Sequence, residues 1–358
     1  MKVTKKKKRV SLIALGLAST LLLTSALLNQ NEPAQAQSSS TPTAAADDGK
    51  ITMAFTGDMQ FTGTVATQIN KNGIAYPFAK VKPVLEKADI AMGNLETTLT
   101  TGGTAQSKQY TFRSSPAMAK SMANAGYDIV GLANNHSLDF GTASLLDTMK
   151  YLSAQHVTYA GGGKNAAEAT AIRYIKKNGQ TVAFLNYSRV LPSSSWFATS
   201  SKPGLASAYD TKLMYSKVKE ARKKADIVVV FIHWGKERMT KPEAYQTSMG
   251  HTLIDLGADV VVGHHPHIMQ PVEWYKGKLI AYSLGNFVFT KNGTDRSNQT
   301  AILQVTVQNK KIGASLVPAR ILNGQPLLMP EKEKAEFLRF MDTLSLKAKV
   351  TSSGSILP

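Results

Sequence analysis

The chain has 358 residues, 43% of them hydrophobic and 18% charged, with 42 basic residues against 24 acidic ones and no cysteine. That balance allows a sizeable core and excludes a disordered polyelectrolyte; the missing thiols exclude disulfides, a Cys nucleophile, iron–sulfur clusters and thiolate zinc sites. Any metal must therefore be held by His, Asp, Glu or Asn, and the net charge of +18 favours anionic partners through long-range steering.

The N-terminus carries a targeting pattern. A basic run from Lys5 to Arg9 precedes an apolar stretch from Val10 to Leu28, and Ala34-Gln35-Ala36 offers small residues for cleavage. Residues 1–28 thus read as a secretory signal peptide or, if uncleaved, a membrane anchor. Either way the rest of the chain is expected at the extracellular face of the cytoplasmic membrane, anchored or secreted. Residues 29–48, rich in Gln, Ser, Thr, Ala and Pro, read as a flexible linker. Without residues 1–36 the chain still holds 36 basic against 23 acidic residues, a balance of +13.

From residue 49 to about 330, short apolar runs alternate with helix-like stretches, the pattern of an α/β domain. Ile51 to Thr56 ends in Gly57-Asp58. Four later runs begin at Asp89, Asp128, Asp226 and Asp259 and end in polar side chains: Asn94 and Glu96, then Asn134, Asn135 and His136, then His233, then His264, His265 and His267. Sites in open α/β sheets form outside the carboxyl ends of strands, so these tips predict one shared site. Ala171–Ile175 and Thr181–Asn186 flank Asn178-Gly179, a hairpin signal. Lys278–Ser283, Phe287–Phe289, Thr300–Val307 and Ala314–Val317 also read as strands, so the sheets are expected to be mixed. Residues 331–358 read as an amphipathic C-terminal helix and a polar tail.

His265 and His267, placed on an extended segment, would direct both rings to one side, because strand side chains alternate with period two. With Asp58, Glu96, Asn135 and His233 they form a mixed nitrogen and oxygen set suited to Mn²⁺, Fe or Zn²⁺. Two ions bridged by a carboxylate would clamp the attacking and leaving oxygens of a phosphoryl displacement, and His136 would donate a proton to the leaving group. Ser283, in Ala281-Tyr-Ser-Leu-Gly285, approximates a nucleophile elbow, but the following Asn286-Phe-Val-Phe289 reads as strand where an elbow needs a helix. The basic residues show no aromatic interleaving, and export argues against a nucleic-acid partner.

Gly57-Asp58, Gly93-Asn-Leu-Glu96, Asn134-Asn-His136, His233-Trp-Gly-x-Glu237, Gly263-His-His-Pro-His267 and Tyr282-Ser-Leu-Gly-Asn-Phe287 together resemble the CapA family of poly-γ-glutamate capsule biosynthesis proteins. That family is similar in turn to calcineurin-like metallophosphoesterases. The resemblance implies a four-layered α/β/β/α sandwich with mixed sheets and a centre of one or two divalent ions. It implies Asp58, Glu96, Asn135, His233, His265 and His267 as metal ligands and His136 as the catalytic acid; beside these, Asn94, Glu237 and Asn286 are expected as substrate contacts, with Glu237 alternatively orienting His233 or standing as an exposed charge. Two positions depart from the pattern: Gln60 stands where an Asp-x-His opening has its imidazole, and Glu96 replaces a bridging Asp. The expected function is a metal-dependent hydrolase of a phosphoester or γ-glutamyl amide, its partner poly-γ-glutamate or a phosphorylated substrate. The alternative is a non-catalytic accessory protein that works with other capsule synthesis proteins and holds an anionic polymer on its basic surface.

Overall fold

Along the strand Ile51–Met59, Ile51, Met53 and Phe55 enter one apolar layer while Ala54 and Met59 enter another. The same alternation sorts Ile227–His233, where Ile227, Val229 and Phe231 face one layer and Val228, Val230 and Ile232 the opposite one. Strands apolar on both faces belong inside sheets covered on both sides. The computed structural model describes residues 49–290 and 295–358, so the signal or anchor and the linker expected over 1–48 lie outside the described residues. Among the described residues no helix is long and apolar enough to cross a membrane.

The fold is mixed α/β, with two main sheets flanked by helices. The ten-stranded sheet runs Lys349–Val350, Ser355–Leu357, Lys311–Leu322, Gln299–Gln308, Ile51–Met59, Ile90–Leu95, Ile129–Gly131, Thr158–Ala160; Asn286–Val288 also pairs with the first strand and Gln325–Leu328 with Lys311–Leu322. The six-stranded sheet runs Val272–Tyr275, Lys278–Ala281, Val260–His264, Ile227–His233, Gln180–Ser188, Arg173–Lys177. Its four central strands are parallel and its two edges are antiparallel hairpins. One apolar layer, with Phe55 and Phe231 in tilted contact at 5.5 Å, joins the two sheets. Helices Ala117–Asn124 and Thr142–Ala154 cover the other face of the larger sheet, and Thr211–Arg222 and Ala244–Asp255 that of the smaller.

The aspartates that open four of the parallel strands all do the same work. Asp89, Asp128, Asp226 and Asp259 each donate their backbone N–H to a carbonyl of the neighbouring strand, that of Thr52, Ala91, Thr181 and Val228 respectively. Each carboxylate then accepts the N–H of that same residue, at 2.8 Å in every case. The clamp satisfies a strand-end donor and pins the register, so that all the polar tips end level at the other edge.

The residues beyond 330 depart from the sequence expectation of an appended helix and polar tail. Helix Glu331–Leu344 inserts Phe337, Leu338 and Met341 into the layer between the sheets, and the tail supplies two short strands that bury Val350 and Ile356 there. The few apolar residues of this stretch are too scattered among polar ones to show as strand periodicity; pairing against Lys311–Leu322 supplies the rest.

Candidate metal centre

Five strands and the loops that follow them deliver polar side chains to one place. Asp58 lies near the end of Ile51–Met59, Asn94 and Glu96 at the end of Ile90–Leu95, and Asn134, Asn135 and His136 just after Ile129–Gly131. His233 closes Ile227–His233, and His265 and His267 follow Val260–His264. The segment after Ala281 ties the two sheets together here: Asp58 N–H donates to the Gly285 carbonyl at 2.9 Å, and Gly263 and Gly57 admit this segment at close range. A Cβ on Gly57 would lie 2.0 Å from the Gly285 oxygen, and one on Gly263 2.0 Å from the Tyr282 oxygen.

Three overlapping groups of ligating atoms result among the described residues, one of them made by Glu237, His265 and His267, and the other two share Glu96. Of these two, Asp58, Glu96 and His267 form one and Glu96, His233 and His265 the other, with the atoms of each group within 4.8 Å of one another. His267 Nδ1 lies 3.3 Å from Asp58 Oδ2, while His233 Nε2 and His267 Nε2 each lie 3.7 Å from Glu96 Oε1. Asn135 Oδ1 is 2.8 Å from His233 Nε2. Glu96 is thus common to those two groups. Its Oε1 and the Nδ1 of His265 are buried with no hydrogen-bond partner. A buried polar atom without a partner costs on the order of 1–3 kcal/mol, so two in one cluster fit a site whose missing partner is a cation.

The electrostatics agree. Burial, joined by the charge of Asp58, pushes the Glu96 carboxyl well above its ordinary range. Burial also opposes ionisation of Asp58, but the hydrogen bond and charge of His267, together with His264 and Asn94, hold it below its ordinary value. Burial and the neighbouring imidazoles push His233 well down and His265 to about 3, leaving both neutral, the form that ligates. His267 is raised to about 9: burial works against its charge, but Glu96 and Asp58 prevail. Neutral imidazoles beside buried carboxylates are donor forms that a cation accepts.

The pair His265 and His267 converges for a different reason than strand alternation. The strand stops at His264, and both residues take left-handed backbone angles, φ 95° and 57°. The turn around Pro266, and not the pleat, aims the rings. His264 does point the other way, its Nε2 donating to the Thr56 carbonyl 3.0 Å away and its ring stacking on Phe231 between the sheets.

Asn94 and Asn286, expected to touch substrate, are buried beneath the cluster. The Asn94 amide donates to Asp58 at 2.9 Å and Glu96 at 3.3 Å; Asn286 Oδ1 pairs with His267 Nδ1 at 2.9 Å while its Nδ2 donates to the His267 and Ser297 carbonyls. Both orient metal-type ligands and leave no group for a substrate. Asn134 plays a similar part, donating to Asn94 and the Leu95 carbonyl. Ser283 is buried, donates to the Ile268 carbonyl at 2.8 Å and precedes a strand, so it has no elbow geometry.

A cavity of about 280 Å³ opens over the cluster, lined among others by His136, His267, Glu237, Phe112, Phe289 and Tyr110. His136 Nδ1 pairs with Asp139 Oδ2 at 2.7 Å, and its ring stacks on Phe112 at 4.2 Å. Burial outweighs Asp139 and holds its pKa below the ordinary value. Asp139 and Lys108 are the residues that sequence reasoning missed. Asp139 also accepts from Lys108 Nζ at 2.7 Å and the Phe112 N–H at 2.6 Å, and Lys108 reaches the Asn135 carbonyl at 2.5 Å. A carboxylate three residues after a candidate acid is a visible signal; Lys108, from an irregular loop, leaves none.

The family model described as bacterial capsule synthesis protein PGA_cap matches residues 52–291, most of the chain. The chain belongs to this CapA/PGA_cap family. It is 32% identical over 333 residues to the capsule biosynthesis protein CapA of Bacillus anthracis, covering 91% of this chain and 79% of that protein. It is 32% identical over 269 residues to the PGA biosynthesis protein CapA of Bacillus subtilis strain 168, covering 74% and 70% respectively. The matched residues of the CapA/PGA_cap domain include every candidate ligand described above.

Proposed function

We propose that the chain is an extracytoplasmic, metal-dependent hydrolase of poly-γ-glutamate capsule biosynthesis, acting on a phosphoester or a γ-glutamyl amide. The observation that carries this reading is the pair of buried, unpartnered atoms, Glu96 Oε1 and His265 Nδ1, inside a cluster drawn from five strand ends. The succession of helices, two sheets and helices supports a four-layered sandwich of the metallophosphoesterase type. The names of the two Bacillus relatives support the capsule setting and, with the basic surface, an anionic polymer as partner.

Asp58, Glu96, Asn135, His233, His265 and His267 would hold one or two divalent ions of Mn, Zn or Fe. When bound, such an ion supplies Lewis acidity and lowers the pKa of water beside it. The chain's own residues do the rest. Asn94 and Asn286 fix the ligands, while Phe112 and Phe289 wall the cavity and limit water. With Nδ1 bonded to Asp139, His136 keeps Nε2 for proton exchange with the substrate, and Asp139 stabilises the ring when it is charged.

Metal analysis of the full-length chain, grown with Mn²⁺ or Zn²⁺, tests the reading. Wild type should carry at least one ion per chain and cleave p-nitrophenyl phosphate or a γ-glutamyl anilide. His265→Ala should lose both metal and turnover with an unchanged circular dichroism spectrum. Metal-free wild type would sink the proposal, whereas bound metal without turnover on either substrate class would favour the accessory role.

A further inference from the structure

We propose that Glu237 is a metal ligand, adding to the centre beside His265 and His267 a donor that Gln60 does not supply; this rests on the metal-dependent reading above. Gln60 stands where the related pattern has an imidazole, and its amide is fully committed elsewhere. Its Oε1 accepts from the Thr62 N–H at 2.6 Å and the Thr62 hydroxyl at 2.5 Å, and its Nε2 donates to Thr290 at 3.1 Å. Turning it toward the cluster would break all three bonds. Gln60 therefore adds nothing to the group of Asp58, Glu96 and His267.

Glu237 lies close to one member of that group, His267, and to His265. Its carboxylate and ligand atoms of His265 and His267 all lie within 4.8 Å of one another, and His265 Nδ1 is the buried atom without a partner. Glu237 is exposed, yet its loop is pinned against the two imidazoles. Trp234 N–H donates to the His264 carbonyl at 3.0 Å, Arg238 N–H to the Pro266 carbonyl at 2.8 Å, and Gly235 N–H to the Tyr245 hydroxyl at 2.6 Å. Gly235 takes φ 88°, and a Cβ there would meet the Gln246 side chain at 2.8 Å, so the turn that presents Glu237 requires glycine. A carboxylate held this close to two imidazoles adds a hard oxygen ligand of the kind Mn²⁺ favours. Glu237 belongs to the centre itself, which revises its expected role as a substrate contact.

Mn²⁺ titrations of the full-length wild type, Glu237→Gln and Glu237→Asp, read by calorimetry and by the electron paramagnetic resonance of free Mn²⁺, test this. Both variants should bind one Mn²⁺ equivalent at least tenfold more weakly than wild type, or lose it, because the amide removes the charge and the Asp removes the reach. If only Glu237→Gln is weakened and Glu237→Asp matches wild type, Glu237 acts through its field and is no ligand. Unchanged affinity and stoichiometry in both variants would overturn the assignment while leaving the metal-dependent function standing. A wild type that takes up no Mn²⁺ would overturn both.

Discussion

His136 depends on a residue outside the ligand cluster. Asp139 is fully buried and accepts three bonds, from His136, Lys108 and the Phe112 backbone, so it fixes the ring's tautomer as well as its direction. An asparagine in its place offers one oxygen and one NH₂ group to three donors, and the ring loses its acceptor or Lys108 loses its partner. Asp139→Asn should therefore lower kcat by on the order of 10²-fold while metal content stays at the wild-type level. Steady-state kinetics beside metal analysis checks this; an unaltered kcat would show that His136 needs no such support. The opposite pattern, metal lost together with activity, would place Asp139 in the integrity of the ligand loop through Asn135.

The four opening aspartates act on whole strands, and Asp89 shows how. Burial pushes its carboxyl up, but bonds from the Thr52 hydroxyl and N–H, with Asn178 and Lys177 nearby, hold its pKa below the ordinary value. A depressed carboxyl stabilises the fold above its unfolded pKa, about 3.9, and that contribution disappears as pH falls through the lower folded value. Asp89→Asn should thus cost about 1–2 kcal/mol at pH 7, with the gap to wild type closing below about pH 4. Urea unfolding at the two pH values checks it, and a gap that persists in acid would mean the cost is steric. These elements also show what a sequence can tell. An apolar run opening at Asp and closing in polar residues is readable as a strand and places Glu96, Asn135 and His233 at one edge, where the run from Ile51 brings Asp58. Which polar tip enters the candidate centre is not readable, because it depends on contacts across the sheet: Asn94 and Asn286 turn inward to bond Asp58 and His267, and Glu237 is brought near by a turn pinned to Pro266. The positive φ angles of His265 and His267 are equally invisible, since neither is glycine.

At the scale of the molecule, the centre lies where the ends of the two sheets meet, and the segment bearing Leu284, Gly285 and Asn286 bonds to both. Asp58 N–H donates to Gly285, Leu284 N–H reaches the Gly263 carbonyl at 3.4 Å, and Asn286 holds His267. A cation there would join residues from distant parts of the chain, from Asp58 to His267, which unfolding scatters. Binding to the folded state alone adds stability by mass action, about 2.7 kcal/mol when the free ion is at 100 times its dissociation constant. It also relieves the metal-free cluster, in which the buried Glu96 carboxyl is disfavoured by its own burial and by Asp58. Saturating Mn²⁺ should therefore raise the Tm of wild type by on the order of 5 °C, and a chelator should reverse it. His265→Ala should show at most a small rise, since it lacks one ligand but keeps the surface charges that attract ions non-specifically. Equal shifts in wild type and His265→Ala would mean that the ion acts on the surface, because only binding within the cluster distinguishes the two proteins.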